Sequence, residues 1–305
     1  MIVSPWGPLR VADSHIHFFS HTFFSQLAKQ KPGLTLEGIG AASGWQMPPP
    51  EPEALAHQWV DELDKQGVER AALIASLPGD EHSVEAAVAA FPKRFFGYFM
   101  VNPLAQDAVP RVQSALDRGL HAICLFPAMH RYYMHDEHAM AVLDVIAATR
   151  PSTLVFVHCG VLSVGVRDKL GLASPFDMRY SNPIDLHAVA LRFPGLRFVV
   201  PHFGAGFFRE ALMLCDLCPN VYLDTSSSNR WMHYEGLDLR TVFRRTIELI
   251  GYRRILFGTD SSFFPRGWNV SVFDSQAKAL YELGLSAEQG ALIFGENLRA
   301  LVGVG

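Results

Sequence analysis

The sequence is poor in cysteine and has no long hydrophobic run. Its four cysteines are Cys124, Cys159, Cys215 and Cys218, and in a reducing compartment we expect buried thiols rather than disulfides. Cys215 and Cys218 have the spacing of half a zinc ribbon or of a redox motif, but no second pair exists, so we interpret them as packing thiols. No hydrophobic run approaches the roughly 20 residues that span a bilayer, which excludes a membrane-spanning helix.

Positive charge is also scarce and is nowhere concentrated. The chain has 26 lysine and arginine residues against 30 aspartate and glutamate residues, a formal charge of −4, and no basic run of the kind that follows a phosphate backbone. Nucleic acid is therefore not an expected partner. The first residues, MIVSPWGPLR, lack a charged segment followed by a hydrophobic core. We therefore expect a cytoplasmic protein.

What the sequence does contain is a regular alternation of two kinds of segment. Eight short apolar, β-branched or aromatic runs predict strands: RVADSHIHF, VERAALIAS, FFGYFMVN, HAICLFP, TLVFVHCG, RFVVPHFG, VYLDTSS and ILFGTDSSF. Segments with helical spacing of apolar residues lie between them. This alternation predicts an α/β fold, a TIM-type (β/α)8 barrel. An open doubly wound sheet is the alternative, but the first strand ends without a glycine-rich phosphate loop.

Two connections are longer than the alternation requires. Residues 19–50, rich in glycine, proline and aromatic side chains, follow the first strand, and residues 160–182 follow the fifth. We expect both to be loop insertions at the mouth of the barrel. No linker or repeat divides the sequence, so residues 1–305 are predicted to form a single domain.

Two histidines in the first strand raise the question of chemistry. His15 and His17 are two residues apart, so in a strand they point to the same side, at its carboxyl end. One explanation is a divalent metal, since neutral imidazole is a good ligand for zinc and its neighbours. The other is a hydrogen-bonded pair of core histidines, and this pair alone does not decide between the two.

Three further strand ends favour the metal. His158 ends the fifth strand, His202 the sixth and Asp260 the eighth. In this fold, side chains at the carboxyl ends of different strands converge on one site at the top of the barrel. Barrel interiors tolerate unpaired polar groups poorly, so five such residues at four strand ends indicate a metal site.

These strand ends resemble the amidohydrolase superfamily, in its amidohydrolase-related branch (amidohydrolase 2, ACMSD-like) of decarboxylases, dicarboxylate lactonases and hydratases. The resemblance covers essentially the whole chain and rests on DSHIH, VFVHCG, RFPGLRFVVPHFG, LFGTDSSFF and IFGENLRALVG. It implies one divalent metal ion, zinc in the first instance, and a homodimer. The metal ligands that it implies are His15, His17, His158 and Asp260.

The resemblance also implies that His202 is the general acid/base and that Asp260 takes part in catalysis. A metal ion lowers the pKa of bound water towards about 7, and a neighbouring imidazole can move the proton. Members with two metals use a carboxylated lysine on the fourth strand, but no lysine lies between Lys93 and Lys169, so one metal is expected. Glu296 in IFGEN replaces a usual small residue, a departure outside the chemistry.

Substrate contacts must come from the loops that follow the strands. Arginine forks suit carboxylates and aromatic walls suit a flat or apolar body. The candidates are Arg131 after the fourth strand, Arg230 after the seventh, and Arg266 and Trp268 after the eighth. Arg266 is the leading candidate because it follows Asp260 by only six residues.

These features predict a metal-dependent hydrolase that uses an activated water on a small, carboxylated, cyclic or aromatic substrate. A nonoxidative decarboxylase or a hydratase on the same site is the alternative. A barrel that has lost catalysis is a third hypothesis, disfavoured because the set of metal ligands is complete.

Overall fold

The predicted strands form one parallel sheet whose order follows the chain. The computed structural model describes residues 1–226 and 229–303. A short antiparallel hairpin, β1 (Ile2–Ser4) and β2 (Gly7–Leu9), precedes the sheet. The eight sheet strands are β3 (Ala12–Phe18), β4 (Arg70–Ala75), β5 (Phe95–Val101), β6 (Ala122–Leu125), β7 (Leu154–Val157), β8 (Arg197–Val200), β9 (Val221–Asp224) and β10 (Ile255–Leu256).

Backbone hydrogen bonds between β3 and the segment after β10 close this sheet into a TIM (β/α)8 barrel, as predicted. The amide of Ser14 donates to the carbonyl of Phe257 at 2.8 Å, and the amide of His17 donates to that of Ser261 at 2.8 Å. Between them, the amide of Asp260 donates to the carbonyl of His15 at 3.0 Å. The seam of the barrel therefore brings the first and eighth strand ends, with their polar residues, side by side.

Helices follow the strands around the barrel. They are α1 (His21–Ala28), α2 (Leu36–Ser43), α3 (Pro52–Gln66), α4 (Glu81–Ala90), α5 (Ala108–Asp117), α6 (Pro127–His130), α7 (Glu137–Thr149), α8 (Gly165–Leu170), α9 (His187–Arg192), α10 (Phe208–Leu217), α11 (Met232–Glu235), α12 (Leu239–Ile250), α13 (Val270–Glu282), α14 (Ala287–Ala291) and α15 (Asn297–Val302). Local sequence explains typical ends: α3 begins at Pro52 and stops before Gly67, whose left-handed φ of 74° closes it.

Alternation along the strands separates two apolar cores. In β5, Phe96, Tyr98 and Met100 belong to the barrel interior, whereas Phe95 and Phe99 face the surrounding helices. The last helix, α15, adds Leu298 and Leu301 to the interior cluster. All four cysteines are buried free thiols, as predicted. Within the described ranges, no helix is long and apolar enough to cross a membrane.

The two long connections were predicted as loops, but each contains helix. Ser20 and Thr35 cap the N-termini of α1 and α2, and Gly44 ends α2 with φ 73°. With α8 these helices bury an apolar cluster of their own, whose fully buried members are Phe24, Leu27, Ile39, Val166 and Leu170. We refer to residues 19–50 and 160–182 together as the cap.

Polar contacts join the two parts of the cap. Lys169 Nζ donates to the carbonyl of Ser43 at 2.8 Å, and Lys31 Nζ donates to the carbonyl of Leu170 at 3.0 Å. A separate apolar core and these crossing hydrogen bonds give the cap a defined structure above the carboxyl ends of the strands.

Candidate functional site

Three side chains converge at the seam of the barrel. Nε2 of His15 lies 3.4 Å from Nε2 of His17, and these atoms lie 3.7 Å and 3.3 Å respectively from Oδ1 of Asp260. Within the described residues, they form a group of histidine and carboxylate atoms close enough to share a metal ion. His15 is buried, whereas His17 and Asp260 are partly exposed to the cavity above them.

Hydrogen bonds fix which nitrogen of His17 faces this centre. Nδ1 of His17 lies 2.6 Å from the hydroxyl of Ser76. That hydroxyl donates its own proton to the carbonyl of Ile74 at 3.0 Å, so it accepts from Nδ1–H of His17. Nε2 of His17 is therefore left without a proton and can bind a metal.

Ser226 orients two further rings in the same way. Its hydroxyl donates to the carboxylate of Asp224 and lies 2.9 Å from Nδ1 of His15 and 3.0 Å from Nδ1 of His202. Nδ1 of His202 also lies 2.9 Å from the carbonyl of Ser226. Both histidines therefore carry their proton on Nδ1, which leaves Nε2 as the free nitrogen.

His158 lies beside this group but outside the three-residue cluster. Its ring centre is 5.2 Å from that of His202, and it stacks on Phe126 with 5.3 Å between ring centres. Nδ1 of His158 is buried without a hydrogen-bond partner among the described residues. A buried nitrogen without a partner is costly, and a metal ion is one group that would satisfy it.

Two functional candidates occupy a strained backbone. His202 and Asp260 have φ of 54° and 58°, in the left-handed region that residues other than glycine seldom adopt. The backbone next to Asp260 is also closely packed. A Cβ atom on Gly258, two residues before Asp260, would lie 2.8 Å from atoms of both His15 and Asp224. The chain therefore needs glycine at this position beside the histidine pair.

Burial and charge set the protonation of the site. Burial lowers the pKa of His202 below its ordinary value and that of His158 well below it, so both rings are neutral at pH 7. Burial opposes ionisation of Asp260, but its hydrogen bond with His17 and the charge of His15 hold its pKa below the ordinary value. His158 and His202 are thus neutral imidazoles beside the ionised carboxylate of Asp260.

The buried carboxylate of Asp13 links the two sides of the seam by hydrogen bonds. Its carboxylate accepts from the amide of His15 at 2.8 Å, from the amide and hydroxyl of Thr259, and from Nε1 of Trp268 at 2.8 Å. Burial raises the pKa of Asp13 to about 6 despite these donors. Asp13 therefore ties β3 to the segment that carries Asp260.

This arrangement places Trp268, a predicted substrate contact, beneath the site and away from the cavity lining. Trp268 is 1% exposed, and the indole Nε1–H, the polar group of its side chain, donates a hydrogen bond to Asp13. The residue does not line the cavity. A buried carboxylate requires donors, and Trp268 is one of them.

A cavity of about 710 Å³ opens above the centre. His17, His158, His202 and Asp260 lie at its polar end. This volume is typical of a site for a small organic molecule.

Among the described residues, three arginines line the cavity, Arg167, Arg230 and Arg266, and the last two are the predicted substrate contacts. Arg266 is held in place: its guanidinium lies over the ring of Phe263 at 4.4 Å, and Nη2 donates to the carbonyl of Asp260 at 3.1 Å. Arg131, also predicted to bind substrate, does not line the cavity. Its backbone has a left-handed conformation, φ 61°, and its Nη2 donates to the carbonyl of Pro175, a residue that does line the cavity.

The sequence interpretation missed the residues that orient the rings. Ser76 follows β4, Asp224 ends β9 and Ser226 lies just beyond it. Their position at the carboxyl ends of strands was a usable signal, because that rule applies to every polar residue there.

The site suits one divalent metal ion. Imidazole nitrogen and carboxylate oxygen are the donors that zinc and its transition-metal neighbours accept, and the unpartnered Nδ1 of His158 offers a further donor nearby. The fourth barrel strand, Ala122–Leu125, contains no lysine, so it offers no bridging group for a second metal.

Comparison with known proteins agrees with this fold. A family model described as "Amidohydrolase" matches residues 12–304. Solved structures over nearly the whole chain include 5-carboxyvanillate decarboxylase LigW from Sphingomonas paucimobilis, at 15% identity and a TM-score of 0.66, covering 98% of this chain and 100% of that one. An amidohydrolase from Burkholderia multivorans with bound zinc has 15% identity and a TM-score of 0.66, covering 97% and 100%.

A third similar structure is a probable 2-pyrone-4,6-dicarboxylic acid hydrolase from Acinetobacter baumannii with citric acid bound. It has 13% identity and a TM-score of 0.62, and the match covers 97% of this chain and 100% of that one. Among curated proteins, Protein fluG of Emericella nidulans is 27% identical over 124 residues, 41% of this chain. The match spans only 13% of the length of that relative.

Proposed function

Because the chain belongs to the amidohydrolase family, we propose that it is a metal-dependent hydrolase of small carboxylated compounds with a cyclic or aromatic body. The observation that carries this proposal is the convergence of His15, His17 and Asp260, whose ligand atoms lie 3.3 to 3.7 Å from one another at the cavity. Hydrogen bonds from Nδ1 of both rings leave their Nε2 atoms free to bind a metal.

In this proposal His15, His17 and Asp260 hold the metal, and His158 is its fourth ligand. When bound, the metal would supply Lewis-acid polarisation of a carbonyl and an activated water. His15 and His17 lie on β3, His158 directly follows β7, and Asp260 lies in the seam after β10, so their relative positions are set by the fold rather than by a flexible loop.

His202 is the proton carrier of the proposed reaction. Its Nδ1 proton is held by Ser226, so Nε2 faces the site as a base. The lowered pKa keeps the ring neutral, which a general base requires before it accepts a proton. The same ring can return that proton to the leaving group.

Arg266 is the proposed anchor of the substrate carboxylate. Its contacts with Phe263 and with the carbonyl of Asp260 hold the guanidinium beside the metal ligands before substrate arrives. A fixed guanidinium fork loses little conformational entropy when it binds a carboxylate. Arg230 is a second cation on the same cavity.

A nonoxidative decarboxylase is the second candidate. What favours it is the similarity over 98% of the chain to a structure described as 5-carboxyvanillate decarboxylase. In that reaction His202 would first take up a proton from solvent at Nε2 and would then deliver it to the ring carbon that loses carbon dioxide. The same metal ligands and the same arginine would serve both reactions.

Product analysis separates the two reactions. Zinc-loaded protein would be incubated with hydroxybenzoates, pyrone and muconate-type carboxylates, and simple lactones. Ring opening without gas release is the expected result. Release of carbon dioxide without any hydrolysis would reject the hydrolase and establish the decarboxylase.

A further inference from the structure

The wall of the cavity that belongs to the cap is largely apolar and is built separately from the barrel, although Gln26, Gln30, Ser163 and Arg167 of the cap also line it. Six apolar residues that line the cavity are also members of the cap's own cluster: Phe19, Phe23, Leu27, Trp45, Val164 and Val166. The cavity therefore has two chemically distinct ends. Histidines, Asp260 and Arg266 form the polar end, and the cap forms the apolar one.

Aromatic rings in near-parallel orientation connect these two ends. Phe19 stacks on the metal-ligand candidate His17, with 5.3 Å between ring centres and 23° between planes. Phe23 stacks on Phe19 at 4.3 Å and 8°. Trp45 lies 6.2 Å from Phe19 at 18°. We call these four rings the aromatic ladder.

The aromatic ladder ends at the arginine that the proposed function assigns to the carboxylate. Trp45 stacks on Phe263 at 4.1 Å and 10°, and the guanidinium of Arg266 lies over Phe263. Rings that pack against one another are rigid, so little conformational entropy is lost when a ligand contacts them. The wall is therefore preformed for a ligand of matching shape.

We propose that the substrate carries a second flat apolar group beyond its reacting carboxylated ring, and that this group binds against the aromatic ladder of the cap. The substrate class is a two-ring carboxylic acid, either fused or biaryl. The identity of the reacting end of the substrate depends on the proposed function, whereas the inference of a second group depends only on the structure of the cap.

Size, charge and shape each support this class. A cavity of about 710 Å³ is in the range of sites that enclose drug-sized ligands. Among the described residues that line it, Asp260 is the only acidic one, and it is already engaged by His17, so the polar end favours an anion. Planar groups match stacked or edge-on contacts with aromatic rings better than a flexible chain does.

Binding to zinc-loaded protein tests the inference without turnover. Dissociation constants would be measured by calorimetry for benzoate, 2-naphthoate, biphenyl-4-carboxylate and decanoate. We expect 2-naphthoate or the biphenyl acid to bind at least about ten-fold tighter than benzoate, because a second ring is buried, and tighter than decanoate. Equal affinity for benzoate and both two-ring acids would overturn the inference, and so would tightest binding of decanoate.

Two neighbouring phenylalanines of α1 provide a matched pair of variants. Phe23 lines the cavity, whereas Phe24 is buried in the same cluster and does not. Phe23→Leu should reduce the preference for a two-ring acid by about five-fold, and Phe24→Leu should leave it within about two-fold, because only Phe23 contacts the ligand. Equal effects of the two substitutions would contradict the assignment.

The wild-type series decides the inference even where a variant folds poorly. Absence of turnover with the hydroxybenzoates, pyrone and muconate-type carboxylates and lactones would refute the proposed function while leaving these binding ratios intact. The two proposals therefore fail by different measurements.

Discussion

Nδ1 of His17 lies 2.6 Å from the hydroxyl of Ser76, a residue of the neighbouring strand end. The Ser76 hydroxyl donates its proton to the carbonyl of Ile74, so it accepts a hydrogen bond from Nδ1 of His17. Nε2 of His17 then carries no proton and lies 3.3 Å from Oδ1 of Asp260. A serine that never touches the metal therefore decides whether the ring can bind it.

Replacing Ser76 tests this relationship. Ser76→Ala should lower zinc affinity by about 10- to 100-fold, the usual effect of losing the partner of a ligating histidine. Competition with a chromogenic chelator measures the affinity. Ser76→Thr, which keeps the hydroxyl, should restore most of it, and an alanine variant with wild-type affinity would show that the hydrogen bond does not orient His17.

His202 is expected to matter for turnover and not for metal retention. His202→Gln should reduce kcat by about 10² to 10⁴, the range for loss of a general acid/base, while the metal content per chain stays at the wild-type level. Steady-state kinetics and elemental analysis on the same preparation test both halves. Loss of metal together with activity would instead make His202 a ligand.

Substitutions of Arg266 and Arg131 compare an arginine that lines the cavity with one that does not. Arg266→Gln should raise KM by about ten-fold or more, since a hydrogen bond to a charged group is worth about 1.5 to 3 kcal/mol. Arg131→Gln is the matched control, because Arg131 does not line the cavity and its guanidinium is bonded to the carbonyl of Pro175 at the cavity's edge, and its KM should not change. The opposite pattern would restore the sequence-based prediction for Arg131.

Trp268 is expected to affect stability and leave substrate binding unchanged. Trp268→Phe removes the donor at 2.8 Å from the buried Asp13 carboxylate and should lower the free energy of unfolding by about 1 to 3 kcal/mol. Urea denaturation measures this loss, and KM determined well below the midpoint should equal that of the wild type. A large rise in KM with unchanged stability would place the indole in the substrate site after all.

The sequence predicted the barrel and the strand-end histidines for physical reasons. Continuous apolar strands alternating with helices favour a closed parallel sheet, and the two-residue spacing of His15 and His17 places both on one side of β3. These rules depend on periodicity, which a single sequence displays directly.

Side-chain direction within loops was beyond the sequence. Trp268 and Arg131 lie in the predicted loops, but the direction of each side chain depends on a partner distant in the chain. The indole of Trp268 donates to Asp13, and the guanidinium of Arg131 donates to the carbonyl of Pro175. Ser76 and Ser226 were missed because serine is common in loops, and only their contacts with histidine nitrogens distinguish them. The helices of the cap were missed because glycine and proline dominate the first connection, while capping and burial still stabilise α1 and α2.

The central claim is that His15, His17 and Asp260 hold a metal ion, and metal content per chain after dialysis against zinc tests it most directly. Elemental analysis should find one zinc ion per wild-type chain and per His138→Ala chain, whose histidine lies on the exposed surface. His15→Ala and Asp260→Asn should retain almost none. Variants that fold and still bind zinc as the wild type does would contradict the account.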